Sequence, residues 1–105
     1  MKEKIEVAAQ PLSDEAITAA LEKLPGWERS GDSITRTFKL PSYAAGLMFA
    51  AAVGTLAEGY DHHPDLHIGY KMVRVTFSTH DAGNKISQKD IDIAAAINAL
   101  PYPKA

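Results

Sequence analysis

From Ser13 onward the apolar positions change rhythm several times. Ile17, Ala20, Leu21 and Leu24 recur at helical spacing. Ser13 in front of them is a good N-cap, and Asp14 and Glu15 fall in the first turn, where the helix dipole favours negative charge. Pro25-Gly26 stops that helix. Trp27 to Ser30 reads as a short strand and Gly31-Asp32 as a turn. Ser33 to Leu40 then alternates, with Ile34, Arg36, Phe38 and Leu40 on one face and Thr35, Thr37 and Lys39 on the other, which predicts the second strand of a hairpin. Pro41-Ser42 opens a second helix, rich in alanine, whose expected packed stripe is Tyr43, Leu47, Ala50, Ala51, Gly54 and Ala57 and whose end lies at Gly59 or Pro64. Alternation returns from Leu66 to Thr79: Val73, Val75 and Phe77 share one face, Met72, Arg74 and Thr76 the other. Gly69-Tyr70-Lys71 is a candidate tight turn dividing this stretch in two. After a polar loop from His80 to Lys85, Ser87 caps a last helix with Asp90 at the capping-box position, Ile93, Ile97 and Leu100 as its stripe and Pro101 as its stop. Residues 1–10 show no pattern and are expected to be a loose arm or an edge segment.

The order α-β-β-α-β(β)-α lacks the regular crossovers of a parallel sheet. It predicts an α+β fold with two layers, an antiparallel sheet carrying its helices on one face, with sheet edges left open for a partner. The 105 residues make one domain, and 46% hydrophobic content is ordinary for a globular chain. A domain this small has a modest stability margin, which self-association would widen. The 11 basic and 13 acidic residues form no block of one sign, so no nucleic-acid or membrane-surface partner is expected. With no cysteine, disulfides, thiolate metal sites and cysteine nucleophiles are excluded. The longest apolar stretch, Leu47 to Ala57, is too short to cross a bilayer, and no signal-type segment follows Met1, so a cytoplasmic location is the expectation.

The chemistry is concentrated. The four histidines lie at positions 62, 63, 67 and 80, with Glu58 and Asp61 before the first pair and Asp81 after the last. His62-His63-Pro64 falls where a helix gives way to a strand, and His80 where a strand gives way to a loop. Element ends beside loops are the usual home of functional side chains, and an antiparallel return could join these two. Histidine moves protons near neutral pH, and carboxylates can orient it, so the cluster suits paired acid and base steps. Each feature also has a plainer reading: His67 as an ordinary surface histidine, His62-His63 as part of a turn beside proline, Trp27 as core before substrate platform. No metal is expected. His63 and His67 have ligand spacing only on a helix, and on the strand expected after Pro64 they stand about 13 Å apart along the chain.

Glu58-Gly59-Tyr60-Asp61-His62-His63-Pro64-Asp65, then Tyr70, Val75-Thr76-Phe77-Ser78-Thr79-His80-Asp81 and Ser87-Gln88-Lys89-Asp90 resemble the pterin-4a-carbinolamine dehydratase family. Leu24-Pro25-Gly26-Trp27, Phe38 and Tyr43-Ala44-Ala45-Gly46 match as well, so the resemblance covers about residues 11 to 100. The resemblance implies a four-stranded antiparallel sheet flanked by helices on one side, hence a split of residues 66–79 into two strands. It implies a homo-oligomer, dimeric through sheet edges or tetrameric through helices. It implies a hydro-lyase that converts 4a-hydroxytetrahydropterin to quinonoid dihydropterin and water, in the recycling that follows aromatic amino-acid hydroxylation, with no cofactor. His62, His63 and His80 match the family's active-site histidines, Asp61-His62-His63 and Ser78-Thr79-His80-Asp81 its pterin-contacting stretches, and Glu58 a carboxylate beside the site. Trp27 is a further candidate substrate contact. Leu66 and His67 stand where animal members carry two aromatic residues, and the aliphatic Leu66 is similar to bacterial members; the loop after His80 is one residue longer than in animal forms. Two other roles are compatible with the resemblance: handling another pterin in molybdenum-cofactor metabolism, and service as a dimerisation partner of a transcription factor.

Overall fold

The structure is a computed structural model and describes residues 9–102. The loose arm expected over residues 1–10 lies almost wholly outside the described residues. Helix α1 spans Asp14–Glu22, with Ser13 Oγ accepting a hydrogen bond from Ala16 N at 3.1 Å. Gly26, at φ +89°, turns the chain into β1 (Glu28–Ser30), which pairs with β2 (Ser33–Lys39) across Gly31-Asp32. Helix α2 runs Tyr43–Tyr60, β3 spans Asp65–Gly69, β4 spans Met72–Phe77 and α3 spans Gln88–Asn98. Tyr70-Lys71 forms a two-residue turn between β3 and β4, with Lys71 at φ 59°.

All strand pairs are antiparallel and the order across the sheet is β1-β2-β4-β3. Ile34, Phe38, Val73, Val75 and Phe77 are buried beneath the helices, while Thr37, Lys39 and Arg74 on the other face are exposed. The expected α+β fold, a four-stranded antiparallel sheet with helices on one face, is therefore the one observed. Phe49 and Val53 of α2 and Ile93 and Ile97 of α3 complete the core, with Phe38 and Phe49 in ring contact at 4.6 Å.

The packed face of α2 differs from expectation. Gly46, Phe49, Ala50, Val53 and Ala57 are buried, whereas Tyr43 and Leu47 are about half exposed and Met48 more so. Apolar residues surround this helix on every side, so spacing alone does not select a face. Bulk does: Phe49 and Val53 fill the space over the sheet.

Candidate functional site

The last turn of α2 sets one wall of the site. Asp61 adopts the left-handed conformation (φ 51°, ψ 43°). Its N–H bonds to Glu58 O at 3.2 Å, and His62 N bonds to Ala57 O at 3.1 Å. These two bonds define a Schellman termination, with aspartate where glycine is usual. The helix therefore stops at once, and His62 and His63 leave it in different directions. His63 Nε2 meets Glu58 Oε1 at 2.5 Å in solvent, while His62 turns inward. The His62 side chain is only 11% exposed and its ring lies stacked on Phe77, centroids 5.4 Å apart.

The end of β4 supplies the facing wall. Ser78 and Thr79 lead into a single turn of 3-10 helix, His80–Ala82, closed by Gly83 and Asn84 with positive φ. Asn84 Oδ1 accepts from His80 Nδ1 at 3.1 Å, fixing that ring from within its own loop. Thr79 is buried, with N bonded to Lys85 O and its carbonyl accepting from Ala82 N and Asn84 N.

Asp90 joins the two walls. It lies in the first turn of α3, fully buried, as the acid of the Ser87 capping box. Its Oδ2 accepts from Ser87 N at 2.9 Å and from Thr79 Oγ1 at 2.7 Å, and its Oδ1 faces His62 Nε2 at 2.6 Å. A buried carboxylate survives in a core only when its oxygens are satisfied, and this one has Ser87 N, Thr79 Oγ1 and His62 Nε2 around it at the positive end of a helix. Because a carboxylate oxygen only accepts, Nε2 of His62 carries a hydrogen, and Nδ1 is the nitrogen that holds the lone pair in the neutral ring and the second hydrogen in the charged one. By the same reasoning the nitrogen free to gain or give up a proton is Nδ1 in His63 and Nε2 in His80.

Between the walls lies a half-open cavity of about 200 Å³ lined by Asp61, His62, His63, Ser78, Thr79, His80, Asp81 and Lys89. Of the residues expected at the site, Glu58 stands outside the lining and touches it through His63. Trp27 is elsewhere: it is buried in the core against Phe38 and Phe77, and its Nε1 donates to Asn98 Oδ1 at 2.8 Å. His67, on β3, is exposed and outside the cavity. Two residues of the site were not expected there. Asp90 is legible as a helix cap, and it and Lys89 belong to the Ser87-to-Asp90 stretch that resembles the family, but neither carries an expected site role; Lys89 Nζ lies 4.0 Å from Asp81 at the rim. Among the described residues no group of three or more His, Asp or Glu side chains is arranged to hold a metal ion. A larger cavity, about 490 Å³, lies on the helical side beside Arg36, Phe38, Asn98 and Tyr102. It contains neither histidine nor carboxylate. Burial lowers the Arg36 pKa from the usual arginine value, and Pro25 O and Asn98 Oδ1 accept from its Nη1. Of these two cavities only the smaller is lined by histidines and carboxylates.

The family described as pterin 4 alpha carbinolamine dehydratase has a model that matches residues 10–100. A protein of Natronomonas pharaonis provisionally named pterin-4-alpha-carbinolamine dehydratase is 48% identical over 89 residues, covering 85% of this chain and 94% of its own. One of Nocardia farcinica, with the same provisional name, is 45% identical over 85% of this chain and 93% of its own. Among solved structures, a transcriptional coactivator/pterin dehydratase from Brucella melitensis is 34% identical with TM-score 0.79, covering 86% of this chain and 97% of that one. A pterin dehydratase-like protein identified as a RuBisCO assembly factor in the alpha-carboxysome shares the fold at TM-score 0.57 and 22% identity, over 74% of this chain and 89% of that one.

Proposed function

The chain belongs to the pterin 4 alpha carbinolamine dehydratase family, and from that premise we propose that it dehydrates 4a-hydroxytetrahydropterin to quinonoid dihydropterin by acid–base catalysis at His62, His63 and His80. The observation that carries this reading is the lining of one cavity by three imidazoles from two chain segments, each with one ring nitrogen tied to an acceptor oxygen.

The substrate carries its hydroxyl on C4a, beside the N5–H. Loss of water breaks the C4a–O bond, with a proton delivered to the departing oxygen. N5 gives up its own proton as the C4a=N5 bond forms. Positioned acid and base groups contribute about 10²–10⁴-fold each to such a step. His62 and His63 each have a carboxylate partner, Asp90 and Glu58, able to balance the charge of a ring holding two protons. One of these rings delivers the proton to oxygen. The partner of His80 is the neutral amide oxygen of Asn84, and His80 Nε2 takes the proton from N5. Asp61, Ser78 and Asp81 offer polar atoms to the pterin ring from the cavity wall. The activity fits the recycling of a tetrahydropterin after aromatic hydroxylation.

A homo-oligomer is part of this reading. Strand β3 is an edge strand whose Leu66 and Ile68 are more than a third exposed, and the outer face of α2 carries Leu47 and Met48. Paired edges or packed helices would cover these groups. Single replacement of His62, His63 and His80 by alanine, followed by stopped-flow absorbance on freshly generated substrate, tests the mechanism. Each is expected to lower the dehydration rate, and wild-type rates in all three would end it.

A further inference from the structure

The family resemblance assigns Thr79 to the substrate, yet every polar atom of Thr79 is engaged inside the protein. Its N–H donates to Lys85 O, and its carbonyl accepts from Ala82 N and Asn84 N. Its hydroxyl lies 2.7 Å from Asp90 Oδ2 and 2.5 Å from Ser87 Oγ. The residue is 2% exposed. Neighbouring Ser78 is less buried and its hydroxyl has no partner among the described residues, so Ser78 is the member of the pair with a group to offer a ligand.

The direction of the bonds around Thr79 is determined. A carboxylate cannot donate, so the Thr79 hydroxyl donates to Asp90. It must then accept from Ser87, and Ser87 Oγ in turn accepts from Lys89 N at 3.2 Å. The result is a one-way chain: Lys89 N–H to Ser87 Oγ–H, to Thr79 Oγ1–H, to Asp90 Oδ2, with Oδ1 holding the Nε2–H of His62. We propose that Thr79 is a positioning residue for His62, acting through Asp90 as a link between the N-terminus of α3 and the imidazole. As a statement about catalysis this rests on the dehydratase reading above. Chains of hydrogen bonds in a water-poor interior polarise one another and hold one geometry. With both carboxylate oxygens occupied, Asp90 is held in one orientation, and His62 keeps Nε2 as the bonded nitrogen and Nδ1 as the one that exchanges a proton.

A purely structural threonine would affect folding alone, so the test uses readouts that packing does not move. Thr79→Val removes the hydroxyl at nearly constant shape, and Thr79→Ser restores it. In the full chain with 4a-hydroxytetrahydropterin, Thr79→Val is expected to lower kcat about tenfold or more, as loss of one hydrogen bond to a charged group implies, with KM within about twofold of wild type. Thr79→Ser is expected to return kcat to near wild type. By ¹⁵N NMR, His62 should be a single Nε2–H tautomer in wild type and a mixture in Thr79→Val. An unchanged kcat with an unchanged tautomer would overturn the proposal. A rise in KM alone would make Thr79 a substrate contact and overturn it equally. If Thr79→Val does not fold, the same readouts on Ser87→Ala, which removes the preceding donor, decide the matter. Should wild type fail to accelerate dehydration, the dehydratase reading falls, while the tautomer comparison needs no substrate and still judges the positioning.

Discussion

Replacing Asp90 by asparagine changes one oxygen to NH₂ without changing shape, and the geometry leaves no comfortable way to place it. If the amide nitrogen takes the Oδ2 position it confronts Ser87 N–H and the Thr79 hydroxyl, both donors. If it takes the Oδ1 position it confronts His62 Nε2, and the ring must move its hydrogen to Nδ1 to accept. Either way a charge-assisted bond disappears, and one choice leaves a buried donor unmatched. Charged hydrogen bonds are worth about 1.5–3 kcal/mol and an unmatched buried donor costs about 1–3 kcal/mol, so a loss of roughly 2–4 kcal/mol is expected. For a domain of this size, where each kcal/mol moves Tm by about 4–8 °C, that is a fall of about 8–30 °C. Thermal melting by circular dichroism, at fixed protein concentration, measures it. The same variant should lose at least about tenfold in dehydration rate, because His62 either loses its anchor or presents the wrong nitrogen. A Tm within about 3 °C of wild type together with full activity would refute the argument that Asp90 is the joint between the two walls.

Other substitutions separate the site from its frame. Asp61→Gly relieves a left-handed residue and should raise stability by about 1 kcal/mol in urea unfolding, while lowering the dehydration rate if the Asp61 carboxylate contacts the substrate; a destabilised variant would contradict the strain. Asn98→Ala strips Trp27 Nε1 and Arg36 Nη1 of a shared acceptor and should cost about 1–3 kcal/mol in the same assay, with dehydration unchanged. Gly26→Ala combines φ +89° with a Cβ 2.5 Å from Arg36 Nε, and should cost about 1–3 kcal/mol. Glu58→Gln alters an exposed pair, so Tm should stay within a few degrees while the dehydration rate drops; unaltered activity would remove Glu58 from the mechanism.

How far the sequence reveals this molecule depends on how local each cause is. The alternation in Ser33 to Leu40 and in Met72 to Phe77 is local, and both strands lie where it predicts. The caps at Ser13 and Ser87 are equally local. The face of α2 is not, because an almost wholly apolar helix takes its orientation from the sheet beneath it. Asp61 and Asn84 take left-handed conformations that their neighbours make useful, and Asn84 as the partner of His80 sat four residues away in a Gly-Asn loop that could have been read as a clamp. Asp90 shows the limit most clearly. Its capping role is visible three residues from Ser87, but its bond to His62 spans 28 positions and exists only once α2, β4 and α3 have packed. The histidine cluster itself was legible; which partner held each ring was not.

The measurement that bears most directly on the central claim is stopped-flow absorbance of freshly generated 4a-hydroxytetrahydropterin, with and without the wild-type protein and with His80→Ala in parallel. Rapid conversion to quinonoid dihydropterin by wild type, largely lost in His80→Ala, is the predicted result. A wild-type trace that superimposes on the buffer trace would contradict the account.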